Sequence, residues 1–173
     1  MTEIVAKESR VKRLQDFGLP QVFIENIGNI EELEFRVESE DSAYYYLPSI
    51  LNYDILVGKE VTPIFCCGVS FTVLLQENDD ERIVYFELEC DEIYRDYGTN
   101  VELLLMDIMI EYYDDTVEDG VSLEDFIQVG NKIGFAKSEE LYRLRNLSVE
   151  EYNEKYEDVD GWRIEIAEAL GVV

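Results

Sequence analysis

Histidine is absent from this 173-residue sequence, and its absence removes several kinds of catalytic site at once. There is no Ser-His or Cys-His nucleophile pair, the commonest general base is missing, and most zinc sites are excluded. The sequence also contains no Walker loop for phosphates and no Gly-rich fingerprint for dinucleotides. We therefore expect a protein that is not an enzyme and that has no catalytic residues, no bound metal and no cofactor.

Cysteine is scarce, and long apolar runs are missing. Cys66 and Cys67 are adjacent and Cys90 stands alone, so the spacing fits neither a disulfide framework nor a CxxC motif. All three lie in apolar, strand-like contexts and are expected to be reduced core residues. The N-terminal residues lack the apolar stretch of a signal peptide, and no segment approaches the roughly 20 apolar residues of a membrane span. These features predict a cytoplasmic protein.

Basic residues are few: 14 Lys and Arg stand against 40 Asp and Glu, which gives a net charge of −26 and a pI near 4.1. Disorder is not expected, because 12 Tyr and 8 Phe within a 47% apolar composition supply a core. Acidity promotes solubility in any protein, but this charge exceeds what solubility requires. Its field repels nucleic acid and anionic membranes and attracts a basic protein.

The clearest pattern is a β-hairpin between residues 69 and 90. Apolar residues alternate with polar ones on both sides of the polar insert Glu77–Glu81, which is typical of half-buried strands joined by a turn. The predicted inward residues are Val69, Phe71, Val73 and Leu75 in the first strand, and Val84, Phe86, Leu88 and Cys90 in the second. Tyr85, Glu87, Glu89 and Asp91 are predicted to point away from the core.

The rest of the chain predicts an α+β fold in a single domain, residues 1–173. Residues 1–17 are expected to form a helix that ends at Gly18-Leu19-Pro20. Residues 21–91 are expected to be rich in strands, giving a mainly antiparallel sheet of about five to six strands covered by helices. The predicted strands before the hairpin are 22–24, 33–37, 44–47, 53–57 and 63–67.

Residues 99–171 are expected to be helical. Thr99–Glu102 resembles a capping box and precedes an apolar stripe that predicts a long, mostly buried helix packed across the sheet. Two more capping boxes, Ser122–Asp125 and Ser148–Glu151, predict helices near 122–129 and 148–156. Ser138 is expected to cap another helix around 139–146. Residues 160–171 predict a last helix that stops at glycine.

Acidic residues are concentrated between Glu77 and Asp119, a stretch that contains sixteen Asp or Glu and only two basic residues, Arg82 and Arg95. Tyrosines are interleaved with them, and tyrosine is a favoured interface residue. One interpretation is a solvated face, and the other is a surface that binds a cationic partner. The residues that we predict to bind the partner are Glu77, Asp79, Asp80, Glu81, Tyr85, Glu87, Glu89, Asp91 and Glu92.

The segment Asp115–Gly120 resembles the start of a calcium-binding loop. If Gly120 takes position six, position three is Val117 and position twelve is Phe126, so one ligand and the bidentate glutamate are missing. We interpret the segment as an acidic loop between helices.

The only basic region is the N-terminal one, with Lys7, Arg10, Lys12 and Arg13. Four basic residues on a helix could contact nucleic acid. We favour the other interpretation, in which they form the exposed face of a helix that lies on an acidic body.

Several of these segments together resemble the SUKH superfamily (Smi1/Knr4-like), and most closely its immunity-protein branch. The resemblance spans roughly residues 14–115, and an acidic insert stands here in place of the family's Gly-bearing turn. It rests on these segments: Gly18–Pro20, Leu56–Gly58, Pro63–Phe65, Arg82–Phe86 and Tyr97–Asn100, which leads into the long helix. It implies an α+β domain that binds and neutralises a cognate bacterial toxin, often a nuclease, in the cytoplasm.

Three hypotheses about function follow. The first is a toxin inhibitor that occludes a basic nuclease, which must be cationic to hold phosphates. The second is an acidic mimic of DNA that blocks restriction enzymes or other DNA-binding enzymes. The third is an enzyme that depends on a metal bound by carboxylates. We favour the first, with no direct contact to nucleic acid or membrane.

Overall fold

The computed structural model describes all residues from Met1 to Val173 and has an α+β architecture. The chain divides into two compact units, Met1–Val101 and Glu102–Val173. The elements, in chain order, are β1 (Glu3–Ile4), α1 (Lys7–Phe17), α2 (Gln21–Asn26), α3 (Asp41–Tyr46), β2 (Glu60–Cys67), β3 (Ser70–Glu77), β4 (Asp80–Glu87), β5 (Ile93–Gly98), α4 (Val101–Thr116), α5 (Leu123–Ile133), α6 (Ser138–Arg145), α7 (Val149–Tyr156) and α8 (Val159–Ala169).

The first unit contains one five-stranded sheet with the order β1-β2-β3-β4-β5. The short strand β1 runs parallel to β2, and the other neighbours are antiparallel. The fold class is therefore confirmed: a mainly antiparallel sheet of five strands accompanied by helices, with a helical C-terminal part. Strand β5 was missing from the sequence analysis, because its residues alternate between half-buried and exposed positions and carry little apolar signal.

One face of the sheet supports the core of the first unit. Phe71, Val73, Val84 and Phe86 are completely buried and form a cluster with Leu56 and other apolar residues that lie outside the sheet. The prediction for these inward positions is confirmed. The opposite face of β3 is buried as well, since Thr72 and Leu74 are almost inaccessible, so this strand is central rather than half-buried.

The ends of the predicted hairpin differ from the prediction. Strand β3 ends at Glu77 and β4 begins at Asp80, so the turn consists of Asn78 and Asp79. Asn78 has a positive φ of 56°. A positive φ at the first position of a two-residue hairpin turn matches the right-handed twist of the strands. Val69 lies outside β3 and is 46% exposed, while Leu88 and Cys90 lie beyond the end of β4.

The prediction of strands between residues 21 and 59 is wrong. Residues 22–24 belong to helix α2 and residues 44–46 to helix α3; 33–37 and 53–57 form a 3₁₀ turn and irregular turns. The buried residues of this region are spaced by three or four positions, as in Phe23, Ile27 and Ile30, which is helical rather than strand periodicity. Only the run at 63–67 is a strand, as part of β2.

The N-terminal prediction is also wrong in part. The helix starts at Lys7 rather than at the first residue, and Glu3 and Ile4 pair with Glu60 and Val61 as strand β1. A helix through residues 1–6 would leave this edge of β2 without those backbone hydrogen bonds. The end of the helix is as predicted, because Gly18 adopts the left-handed conformation at φ 109°.

The second unit contains α4 to α8, as predicted. The hydroxyl oxygens of Ser122 and Ser148 accept hydrogen bonds from the amides of Asp125 and Glu151, so both capping predictions are confirmed. The capping role of Ser138 is wrong: its buried hydroxyl donates to the carbonyl of Phe135 and caps no helix. Helix α4 is largely buried, as predicted.

The core of the second unit is rich in aromatic rings. Phe126 packs against Tyr112, Tyr113 and Tyr142 with ring centroids 5.5–5.9 Å apart. Such contacts add about 0.5–1.5 kcal/mol beyond the burial of apolar area. That the two units form one domain stays a prediction.

Candidate binding surface

The eight acidic residues among the nine predicted binding residues lie at the two ends of β4 rather than together. Glu77, Asp79, Asp80 and Glu81 surround the β3–β4 turn, and Glu87, Glu89, Asp91 and Glu92 lie at or beyond the opposite end of the strand, while Tyr85 lies within it. At roughly 3.3 Å per residue, Asp80 and Glu87 are about 23 Å apart along the extended chain. These acids are close to one another in the sequence, but the length of the strand separates the two groups in space.

Ion pairs within the chain neutralise much of the turn end. The guanidinium of Arg82 lies 2.9 Å from the carboxylate of Asp80 and 2.7 Å from that of Asp96. Arg13, on α1, lies 3.2 Å from a carboxylate oxygen of Glu81 and 3.0 Å from one of Glu60. Asp80 and Glu81 are therefore already engaged by the chain's own cations. Arg13 lies outside the acidic stretch Glu77–Asp119, yet it pairs with one of its carboxylates.

Asp91 contacts the backbone of the chain itself. Its two carboxylate oxygens accept hydrogen bonds from the amides of Asp54 and Ile55, at 2.8 and 3.1 Å. A carboxylate that satisfies two backbone amides holds the turn at 54–55 against the segment after β4. This contact joins residues 36 and 37 positions apart, so local sequence gives no sign of it.

The opposite end of β4 keeps its negative charge. Glu89 and Glu92 are exposed, Glu87 is half-buried, and none of the three forms an ion pair in the structure. The rings of Tyr85 and Tyr94 lie beside each other with centroids 6.3 Å apart. Tyr94 is 47% exposed, whereas Tyr85 is half-buried, so Tyr85 and Glu87 project less freely than the alternation predicts.

Exposed apolar residues lie at the same end of the sheet. The amide of Leu88 donates to the carbonyl of Val69 at 2.9 Å, which places the exposed Val69 next to the end of β4. The thiol of Cys67 donates to the carbonyl of Phe35 at 3.1 Å, and the Phe35 side chain is 77% exposed. The sheet-end surface is defined here by Phe35, Val69, Tyr85, Glu87, Glu89, Glu92 and Tyr94.

The sequence pattern predicts both Phe35 and Val69 in strands and so does not indicate their exposure. Their only signal was position, because each lies next to a turn or strand end where the alternation breaks down. Large apolar side chains that group at the surface mark interaction sites more often than scattered ones do.

Two groups near this surface, the Tyr94 phenol and the Cys66 thiol, have raised pKa values. A hydrogen bond with Cys90 is the main cause that raises the pKa of Tyr94 to about 12. Burial raises the pKa of the Cys66 thiol to about 12, so this cysteine is not a thiolate nucleophile at neutral pH. This region presents carboxylates, a phenol and apolar side chains at its surface.

Two further acids of the 77–119 stretch are internal to the second unit. Arg163 donates to both carboxylate oxygens of Asp107, at 2.6 and 2.9 Å. The carboxylate of Asp114 accepts hydrogen bonds from Arg145 and from the Tyr152 hydroxyl, and Arg145 is only 1% exposed. These two acids hold helices together and do not face solvent as a binding surface would.

The basic residues of α1 are directed at the chain's own carboxylates and carbonyls. Lys7 lies 2.5 Å from Asp41, and Lys12 lies 3.0 Å from Asp16. Arg10 is buried, so it does not belong to an exposed basic face as predicted. Its guanidinium donates to the backbone carbonyls of Pro63 and Ile64, at a bulge where the register between β2 and β3 shifts. A nucleic-acid contact through these side chains would require breaking those interactions.

The negative charge is divided equally between the two units. Residues 1–101 carry 21 acids and 8 bases, and residues 102–173 carry 19 acids and 6 bases, so each unit has a net charge of −13. No group of three or more His, Cys, Asp or Glu side chains is arranged to hold a metal ion. No helix combines the length and the apolar composition that crossing a membrane requires.

Comparison with known proteins gives no match to a family model, a curated protein or a solved structure.

Proposed function

We propose that this protein is an immunity protein, which binds a basic bacterial toxin through the sheet-end surface and blocks it in the cytoplasm. The observation that carries the proposal is the combination of Glu89 and Glu92, which have no cation partner, with the exposed side chains of Phe35, Val69 and Tyr94. The toxin class that fits best is a nuclease. The inhibitor does no chemistry of its own.

Charge and apolar area have separate roles in this mechanism. A nuclease presents a basic groove to hold phosphates, and that groove attracts an acidic protein over distances near the Debye length. Such steering raises association rates to roughly 10⁸–10⁹ M⁻¹s⁻¹ at low salt, against about 10⁵–10⁶ without it. Once the two proteins touch, the aromatic and aliphatic side chains slow dissociation, since buried aromatic anchors dominate binding energy.

The experiment uses the product of the gene adjacent to the one that encodes this chain. Co-expression should rescue growth if that product is toxic, and purified inhibitor should abolish its nuclease activity at a one-to-one ratio. Glu89→Lys with Glu92→Lys should slow association about tenfold or more at low salt and flatten its salt dependence. Tyr94→Ala should mainly speed dissociation.

The matched control reverses two acids at the other end of the same strand pair. Glu77→Lys with Asp79→Lys changes the net charge by the same amount, and both residues are exposed and without ion pairs. This variant should retain most of the association rate. Equal loss in the two variants would mean that only the net charge matters, and no loss in either would remove the sheet from the interface.

A DNA mimic is the second candidate, and the equal division of charge between the units favours it. A mimic needs carboxylates spread over an extended surface rather than gathered at one end. It should inhibit several unrelated DNA-binding enzymes, whereas the immunity protein should inhibit one. Competition with duplex DNA on three such enzymes distinguishes the two functions.

A further inference from the structure

The first unit contains a cavity at the end of the sheet where the β3–β4 turn lies. Its volume is about 280 Å³, close to the lower end of the range of roughly 300–1,000 Å³ that is common for small-ligand sites. Three apolar side chains line it, together with two cations and two carboxylates. No residue of the sheet-end surface takes part, so this cavity is a separate candidate site.

The apolar lining extends the core of the first unit to the surface. Leu75 is only 2% exposed and belongs to the core cluster. Ile55 and Ile93 are half-buried and pack against the same cluster. The apolar floor of the cavity is defined by these three side chains. Because core residues hold it in place, the floor is formed before any ligand arrives, which lowers the cost of binding.

Two of the four charged groups neutralise each other. The guanidinium of Arg82 lies 2.9 Å from the carboxylate of Asp80. In the β3–β4 register these two residues stand opposite Leu75 and Glu77, so the pair forms one wall beside the floor. The charges that remain available to a ligand are those of Lys59 and Glu77.

Lys59 is a cation without a partner in a chain where acids outnumber bases by 40 to 14. Every other lysine or arginine takes part in an ion pair, a hydrogen bond or another contact. The structure shows no such contact for the Lys59 ammonium, although its side chain is half-buried. Its backbone is fixed, because its amide donates to the carbonyl of Leu56 at 3.1 Å and its carbonyl accepts the amide of Glu3 at 3.0 Å. The donors of this ammonium are therefore open to a ligand.

Glu77 is a carboxylate without a partner at the same cavity. Glu60 of β2 pairs with Gln76 of β3, so Lys59 and Glu77 are the next residues along the two chains. Opposite charges at neighbouring cross-strand positions stabilise each other when they meet. Here no ion pair joins them, and the exposed Glu77 has no other cation. The cavity thus presents one positive and one negative group that are both available.

The two available charges select a ligand that carries both signs. A simple anion would meet the Glu77 carboxylate and the field of a protein with a net charge of −26. A simple cation would meet the Lys59 ammonium and the Arg82 guanidinium. A zwitterion places its carboxylate against Lys59 and its ammonium against Glu77, in two charge-assisted hydrogen bonds. An apolar substituent on the same molecule then covers the floor.

We propose that this cavity binds a free α-amino acid with an apolar side chain similar in size to that of leucine. A peptide does not fit this pattern, because it carries its amino and carboxyl charges on two separate ends. The site is distinct from the sheet-end surface, and the proposal does not rest on the immunity function.

The test follows the methyl NMR signals of Ile55, Leu75 and Ile93 in the intact protein. L-Leucine should shift them in a saturable way with a Kd of about 1 mM, an affinity that a few charged contacts on an open cavity allow. Three related compounds each lack one part: isoamylamine has no carboxylate, 4-methylpentanoate has no ammonium, and glycine has no apolar side chain. Each should bind more weakly than leucine by about fivefold or more.

Two substitutions with matched controls locate the site. Lys59→Met and Glu77→Gln should each weaken leucine binding about tenfold, the loss expected for one hydrogen bond to a charged group. Lys12→Met and Glu89→Gln make the same charge changes at exposed residues outside the cavity, and salt screening should keep their effect below about twofold. Lys59→Arg keeps the cation and should retain most of the binding.

Three outcomes would overturn the proposal. Isoamylamine or 4-methylpentanoate binding as tightly as leucine would show that the cavity does not recognise both charges. Equal weakening by a variant and its control would show that the ligand responds to net charge alone. Unchanged methyl signals at about 20 mM leucine, well above the expected Kd, would show that the cavity binds no such amino acid. None of these results bears on toxin inhibition, which Glu89→Lys with Glu92→Lys tests separately.

Discussion

Replacing Arg145 with methionine should destabilise the Glu102–Val173 unit by about 3 kcal/mol. The guanidinium is 1% exposed, bonded to Asp114 of α4, and stacked over Trp162 of α8 and near Tyr152 of α7. It therefore links three helices to the end of α6. Breaking a buried ion pair by removing one partner costs about 3–5 kcal/mol, because the other charge is left unpaired.

The environment of Asp114 places the expected destabilisation by Arg145→Met near the lower end of that range. Its side chain is 20% exposed and keeps the hydrogen bond from the Tyr152 hydroxyl, so water and the phenol stabilise the remaining carboxylate. The lost contact with the indole adds about 1 kcal/mol to the cost. The methionine recovers part of the buried apolar area, since its volume is similar to that of the arginine stem.

The assay is urea denaturation followed by Trp162 fluorescence, which reports on the same cluster. With a slope of about 2 kcal/mol/M, the midpoint should fall by more than 1 M. Arg145→Lys should recover less than half of the loss, because an ammonium keeps the charge but cannot stack as a plane. The double variant Arg145→Met with Asp114→Leu should be less destabilised than Arg145→Met alone, since the second substitution removes the unpaired carboxylate.

Arg143 supplies the control for this prediction. It is on the same helix, is 67% exposed and pairs with Glu139 at 2.6 Å. Exposed pairs of this kind contribute about 0.3–0.5 kcal/mol, so Arg143→Met should shift the midpoint very little. The reasoning is refuted if Arg145→Met is no more destabilising than Arg143→Met, or if lysine at 145 restores full stability.

Three further predictions concern stability. Arg10→Met should cost about 2–4 kcal/mol in urea denaturation, because two buried bulge carbonyls lose their donor; a change below 1 kcal/mol would contradict this. Ser122→Ala and Ser148→Ala should each cost about 1 kcal/mol, and a glycine at either position should cost less than the alanine. Burial raises the pKa of Cys66 from 9.0 to about 12, so the unfolded chain loses its thiol proton first and stability should fall as pH rises from 9 to 12. Cys66→Ala should show a shallower alkaline decline than the wild type, and identical slopes would refute the assignment.

The elements that the sequence predicted correctly are those with a repeated local signal. The alternation around Phe71 and Phe86 gives β3 and β4, and the serines at 122 and 148 give the starts of α5 and α7. Each of these signals is contained in fewer than ten residues, so no distant contact is needed to interpret it.

The prediction of strands between Pro20 and Gly58 is wrong because the helices of this segment are only six residues long. Helices this short are not stable by propensity and exist because tertiary contacts hold them. The tyrosines at 44–46 favour strands in isolation. In the folded chain, Ala43 and Leu47 at helical spacing pack into the core, and Tyr45 is left 78% exposed.

The sequence could not show which of the predicted binding residues are already paired, because pairing between charges is a tertiary property. Fourteen bases cannot neutralise forty acids, so the acids that stay free are those that no lysine or arginine reaches. Arg13 lies 68 positions before Glu81 in the chain, yet it reaches that carboxylate and so removes charge from the turn that looks most acidic in sequence. No cation of the chain pairs with Glu89 or Glu92, although they lie in a less acidic stretch.

In an acidic protein with so few bases, the positions of the arginines therefore decide which carboxylates are available to a partner. Removing one of them, as in Arg13→Gln, frees carboxylates at the turn end of the sheet but should change the association rate of a cationic partner little, because the proposed interface lies at the other end. If Arg13→Gln leaves the association rate of such a partner unchanged while Glu89→Lys lowers it, the turn end lies outside the interface and the sheet end is the site.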